Sequence, residues 1–220
     1  MRILVASDIH GSAEAVSKIR LGSQKWTAEL IVICGDITHF GDVCQAQELL
    51  SGLHTPNIPI LFVPGNCDSP SLATLQDSGE IHNIHRHTQV IGDVCFGGVG
   101  GAPPTPFDTP FELSEGRIRE LLHLISYELK KCSCSVLVTH SPPLNTALDL
   151  TRFGLHTGSK SVREFIEEEQ PALVLCGHIH ESMGKDNLGR SLIVNPGSVR
   201  NGSYAVVDFS GEAEVFFADS

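Results

Sequence analysis

The sequence predicts an α/β fold with a parallel sheet. Five short, continuous apolar runs rich in Val, Ile and Leu recur along it, the composition of strands covered on both faces. Helix-period segments lie between several of them, the order of βαβ units. Further strand-like stretches at 90–96, 192–194, 204–209 and 214–217 point to a second, mixed or antiparallel sheet.

In chain order the five runs are Ile3 to Ala6, Leu30 to Cys34, Ile60 to Val63, Val136 to Val138 and Ala172 to Cys176. The clearest helix starts at an N-cap, Ser114, and places Ile118, Leu121, Leu122, Ile125 and Leu129 on one face. Val162, Phe165 and Ile166 mark another helix, with Ser159 positioned to cap it. Ser210-Gly211 reads as a hairpin turn. Gly101 to Pro110, with four prolines, is the long irregular loop, of the kind that borders functional sites. Gly97-Gly98-Val99-Gly100-Gly101 reads as a backbone turn, because Pro103-Pro104 stands where a dinucleotide-binding helix would open. His82, His85 and His87 read as solvated residues, and Cys132 to Cys134 as a helix-to-strand junction.

A chain of 220 residues with no internal repeat fits one domain, 1–220. Hydrophobic residues at 41% and charged residues at 19% exclude a disordered chain, and no apolar run approaches a membrane span. The apolar stretch after Met1 is too short for a secretory signal, so a cytoplasmic location is expected. Seven cysteines without a Cys-x-x-Cys pair argue for reduced thiols rather than disulfides or a thiolate zinc site. A net charge of −11 disfavours broad nucleic-acid or membrane adhesion. An anionic substrate then needs a local positive charge, which bound metal supplies. A homo-oligomer is left open.

Each apolar run is followed by ligand-type side chains: Asp8-x-His10, Gly35-Asp36, Gly65-Asn66, Thr139-His140 and Gly177-His178-x-His180. Carboxyl ends of parallel strands are where open α/β sheets build their sites, so these seven residues should converge. Any one alone reads as an ordinary cap, turn or hydrogen-bonded residue; five such coincidences do not. Two carboxylates, four imidazoles and one amide suit Mn, Fe, Zn, Co or Ni better than Ca or Mg. Seven donors exceed one tetrahedral ion but suit two divalent transition-metal ions if a carboxylate bridges, with Asp36 the candidate.

The order Asp8-x-His10, Gly35-Asp36, Gly65-Asn66-Cys67-Asp68, His140 and Gly177-His178-Ile179-His180 resembles the calcineurin-like metallophosphoesterases. The resemblance implies a four-layer α/β/β/α sandwich, the metallo-dependent phosphatase fold. It implies one metal held by Asp8, His10, Asp36 and His180 and another by Asp36, Asn66, His140 and His178, with manganese favoured. It also implies a hydrolase in which a metal-bound hydroxide attacks the phosphorus of a small phosphoester, with Asn66, Asp36 and His140 as catalytic residues.

Many members of that family carry His after the Asn, where this chain has Cys67 and resembles a smaller Gly-Asn-Cys-Asp group that includes phosphodiesterases. A thiol, even one lowered beside divalent cations, is a poorer general acid than imidazolium, which favours diesters or activated esters. Without a companion His and Asp, Cys67 is not read as a nucleophile. Cys67, His39 and His156 are the candidate substrate contacts. The alternatives are a phosphomonoesterase or nucleotide phosphatase of the same fold and a non-catalytic metal-binding scaffold.

Overall fold

The computed structural model describes residues 1–209 and 213–218. Four strands open the chain as parallel neighbours: β1 (Arg2–Ala6), β2 (Leu30–Ile33), β3 (Ile60–Phe62) and β4 (Ile81–Asn83). A second sheet begins with β5 (Thr88–Ile91), antiparallel to β6 (Val94–Val99); β7 (Ser135–Thr139) and β8 (Leu173–Leu175) extend it in parallel. At its far edge β9 (Gly184–Leu188) pairs antiparallel with β10 (Ser191–Asn195), which lies parallel to β8. The chain then returns to the first sheet, where β11 (Tyr204–Asp208) runs antiparallel to β1 and β12 (Glu214–Ala218) antiparallel to β11. Among the described residues each sheet thus has six strands.

Side-chain alternation makes the four layers. Ile3, Val5, Leu30, Val32 and Leu61 face the second sheet, where they meet Phe96, Val136, Val138, Leu173 and Leu175. Their neighbours Leu4, Ile31, Ile33 and Phe62 face outward onto α1 (Ala13–Lys25) and α2 (Val43–Gly52). On the other side Leu137, Val174 and Ile193 pack beneath α3 (Glu115–Lys130) and α4 (Lys160–Glu169), through Ile118, Leu121, Ile125, Phe165 and Ile166. The helices α1 to α4 each begin on a side-chain cap: Ser12, Asp42, Ser114 and Ser159 accept from the amides of Ala15, Gln45, Arg117 and Val162. Such caps contribute about 1 kcal/mol each.

The four-layer α/β/β/α sandwich is present, but the five apolar runs do not share one sheet. β1, β2 and β3 belong to the first, β7 and β8 to the second. A continuous apolar run reports coverage on both faces, and here both sheets are covered, by helices outside and by each other inside. Nor do the remaining strand segments make a sheet of their own. The stretches near 90–96 and 192–194 lie beside β7 and β8, while 204–208 and 214–218 extend the first sheet. The predicted Ser210-Gly211 turn lies outside the described residues. Gly97, Gly98 and Val99 are strand rather than turn, and a Cβ on Gly98 would strike Val63 and Ile84. No helix among the described residues is long and apolar enough to cross a membrane.

Candidate metal centre

The carboxyl ends of β1, β2, β3, β7 and β8 meet along one rim of the sandwich, and their turns are unusually constrained. Asp8, His10, Asp36 and His178 all adopt left-handed backbone, at φ 60°, 47°, 51° and 70°. For non-glycine residues this costs on the order of 1 kcal/mol each, and it persists where surrounding bonds dictate it. The amides of Asp8 and His10 donate to the carbonyls of Gly35 and Asp36, at 3.0 and 2.9 Å, so the turns after β1 and β2 are laced together. Buried Asp68 then ties the turn after β3 to the turn after β2. Its carboxylate accepts from Gly65 N (2.8 Å), Ile37 N (3.1 Å), Thr38 N (2.7 Å) and Thr38 Oγ1 (2.8 Å). The approach is so close that a Cβ on Gly65 would collide with Asp36.

These turns bring all seven sequence-predicted ligands together, in two groups that share Asp36. In the first, Asp8 Oδ1 lies 3.1 Å from His180 Nε2, and His10 Nε2 lies 3.4 Å from His180 Nε2 and 3.6 Å from Asp36 Oδ2. In the second, His140 Nε2 lies 2.8 Å from Asn66 Oδ1 and 3.5 Å from Asp36 Oδ1, with the His178 ring 4.9 Å from that of His140. Asp36 therefore turns one carboxylate oxygen to each group.

The donor atoms face one another in a way that ordinary hydrogen bonding leaves unfinished. Cys34 O can only accept, so the 2.7 Å contact to His140 Nδ1 places a proton there and, in the neutral ring, leaves Nε2 with a lone pair. Asn66 Nδ2 donates to Thr109 Oγ1, which turns the Asn66 carbonyl oxygen toward that lone pair. Two acceptors at 2.8 Å repel unless a cation or proton joins them. In the first group, Asp8 Oδ1 is buried with the His180 imidazole at 3.1 Å but no well-aligned hydrogen bond, and His10 turns its Nε2 to the cluster. Buried, convergent, unsatisfied N and O donors fit divalent metal ions.

Charge is equally unbalanced in the protein alone. Burial pushes Asp36 up to about 7 and pulls His10 down to about 4 and His178 down to about 3. Burial would also raise Asp8, but its contact with His180 and the neighbouring imidazoles hold it below the usual carboxylate range.

Residues 38–217 match the family model described as metallophosphoesterase, calcineurin superfamily. The chain is a metallophosphoesterase of that superfamily. The matched span begins just after Asp36, so Asp8, His10 and Asp36 stand outside it and rest on the geometry above. An uncharacterized protein of Methanocaldococcus jannaschii is 38% identical over 200 residues, 89% of this chain and 88% of that one. Among solved structures, TT1561 of Thermus thermophilus superposes with a TM-score of 0.79 at 21% identity, covering 99% of this chain and 98% of that one. A novel archaeal phosphodiesterase superposes at 0.56 with 16% identity, covering 99% and 100%. At these identities the two solved structures carry the fold.

The remaining sequence-predicted residues of the metallophosphoesterase sit differently. Cys67 is buried against the cluster, with its amide donating to Asp36 Oδ1 at 2.8 Å. Burial and the Asp36 carboxylate push its thiol well above the ordinary range. His39 is exposed at the cluster's edge, its ring 5.3 Å from that of His10 and within reach of Cys67. His156 pairs with Asp149: its Nδ1 lies 2.7 Å from Asp149 Oδ1, and the nearby Gly158 amide also donates to Asp149. Asp149 thus takes the Gly158 amide, and Ser159 is the α4 cap.

Two supporting residues escaped the sequence reading. Oε1 of Glu112 accepts from the amides and hydroxyls of both Thr105 and Thr109, and through Thr109 it orients Asn66. His85, expected in solvent, is buried at 4% exposure, and its Nδ1 accepts the Gly100 amide at 2.9 Å. No local pattern marks Glu112, whose partners lie in a loop without periodicity; His85 sits one residue past the buried Ile84, and that apolar neighbour was the available signal.

Proposed function

We propose that this metallophosphoesterase is a binuclear, metal-dependent phosphodiesterase acting on a small phosphoester. The observation that carries the reading is the pair of donor groups sharing Asp36, with acceptor facing acceptor between His140 and Asn66. One ion is assigned to Asp8, His10, Asp36 and His180, the other to Asp36, Asn66, His140 and His178. Two divalent ions, manganese favoured, supply Lewis-acid charge to the phosphoryl oxygens and make water acidic near neutral pH.

The residues of the chain hold and orient. Asp36 fixes the spacing of the two groups, and the Cys67 amide and Gly65 fix Asp36. Asn66 is presented in one orientation by Thr109, while Cys34 O sets the His140 tautomer. Asn66, Asp36 and His140 are accordingly the residues assigned to catalysis.

Diester preference follows from Cys67. A thiol standing where many family members carry His is a poorer general acid than imidazolium and gives little help to a poor leaving group, whereas an activated diester needs less assistance. Membership in the Gly-Asn-Cys-Asp phosphodiesterase-like group is part of the same reading, and the fold neighbour described as an archaeal phosphodiesterase is compatible with it.

The test is hydrolysis of bis(p-nitrophenyl) phosphate and p-nitrophenyl phosphate by metal-stripped protein, with Mn, Ni, Co, Zn or Mg restored separately. Diester cleavage recovered with a transition metal is the expected result. Dominant monoester cleavage would reassign the substrate class, and metal uptake without hydrolysis of either ester would favour the scaffold alternative.

A further inference from the structure

Beside the ligand cluster opens a cleft of about 740 Å³, and Asn66, His178 and His180 form its floor. Its walls come from two loops that follow adjacent strands, β6 and β7. One loop contributes Phe107, 80% exposed; the other contributes Phe153 and Leu155, 77% and 62% exposed. Three large apolar side chains held in water around one cleft are an unsatisfied surface, of the kind that marks a ligand site.

Both loops are tied down at the backbone, so this exposure is built rather than incidental. Glu112 Oε1 gathers the Thr105 and Thr109 amides and hydroxyls on either side of Phe107. Across the cleft the Thr151 amide donates to Leu155 O, and the Arg152 amide donates to Glu181 Oε1 at 3.0 Å. Aromatic rings on anchored backbones present apolar area at small entropic cost to binding.

Resting on the phosphoesterase reading above, we propose that this cleft is a subsite for an aromatic ester substituent, of aryl or nucleobase size. The substituent of a phosphoryl group placed at the ligand cluster can lie along this wall, and the wall carries Phe107 and Phe153. The charges lining it are few: Arg152, whose guanidinium lies 5.2 Å from the Phe153 ring, and Glu181. A polyphosphate tail would find one cationic side chain there. A planar ring finds Phe107 and Phe153, and the volume exceeds what a methyl or glyceryl substituent fills.

The test separates the subsite from the metal reading by binding alone. Benzylphosphonate and methylphosphonate carry the same non-hydrolysable headgroup, and their affinities for the full-length, manganese-loaded protein are measured by calorimetry. Benzylphosphonate is expected to bind about 10-fold to 100-fold more tightly, since an aromatic ring buried against aromatic partners gains both area and ring contacts. The double variant F107A/F153A should bring the two affinities within about twofold, and Phe153→Leu, which keeps apolar area without the ring, should fall between. Equal binding of both ligands to the natural protein would overturn the subsite while leaving the metal centre intact. Binding of neither would overturn the metal-centre reading and the subsite with it.

Discussion

Glu112→Gln is the substitution that most directly tests how the centre is held. The part-buried Glu112 carboxylate concentrates four hydrogen bonds on Oε1: 3.0 and 2.7 Å from Thr105 N and Oγ1, and 3.0 and 2.7 Å from Thr109 N and Oγ1. Burial opposes the charged form, but these donors outweigh it and hold Glu112 down at about 2. A charged acceptor contributes about 1 kcal/mol more per bond than a neutral one. Sharing one oxygen, with solvent close by, reduces the sum, so Gln should cost about 2 kcal/mol of stability. Because the folded pKa is depressed, that stabilisation is present above the unfolded value near 4.5 and is lost as pH falls from there through about 2. The further effect runs through Thr109 to Asn66. With Thr109 loosened, the Asn66 oxygen is no longer fixed toward His140, and manganese affinity should fall about 10-fold to 100-fold, as for other residues that orient ligands. Calorimetric titration of metal-stripped protein, with thermal unfolding at pH 7 beside it, measures both. An unchanged melting temperature together with unchanged manganese affinity would refute the argument that Glu112 organises the site.

Four other outcomes follow from the same geometry. His85 is held down at about 4, chiefly by burial, so its contribution is complete above about 6.5 and disappears as pH drops through 4, an effect of about 3 kcal/mol. Denaturation at pH 7.5 and 5 should show a smaller loss of stability in His85→Gln than in the natural chain; parallel losses would contradict the assignment. Asp36→Asn should abolish metal-dependent turnover yet raise the melting temperature of the metal-free protein by a few degrees, because it removes a carboxylate whose ionisation burial opposes. His140→Ala should lose turnover without that gain, which the same two measurements distinguish. Cys67→His should raise monoester cleavage relative to diester cleavage in paired assays, and an unchanged ratio would show that this position does not set selectivity.

Much of the molecule is visible in the chain because its strongest signals are local. The Val, Ile and Leu runs and the Ser114 and Ser159 caps are short-range patterns, and the structure places strands and helices at each. The convergence of the seven candidate ligands was readable for the same reason: each lies two to four residues past an apolar run, so all fall on carboxyl rims. Sheet membership was not readable, because β2 and β7 bury both faces alike and nothing in Leu30–Ile33 or Ser135–Thr139 names a neighbour. The supports were hidden by distance in sequence. Thr109 reaches Asn66 from 43 positions away and His140 reaches Cys34 from 106, and contacts of that range leave no periodicity.

The partition into two sheets has a mechanical corollary. Asp8, His10, Asp36 and Asn66 hang from one sheet and His140, His178 and His180 from the other, with the apolar layer between them carrying no covalent link. An ion shared between Asp8 or Asp36 on one side and His180 or His140 on the other would rivet the two halves at their rim. Neither half can present a complete coordination set before the sandwich shuts, so capture of metal reports closure, and loaded protein should resist sliding of one sheet over the other.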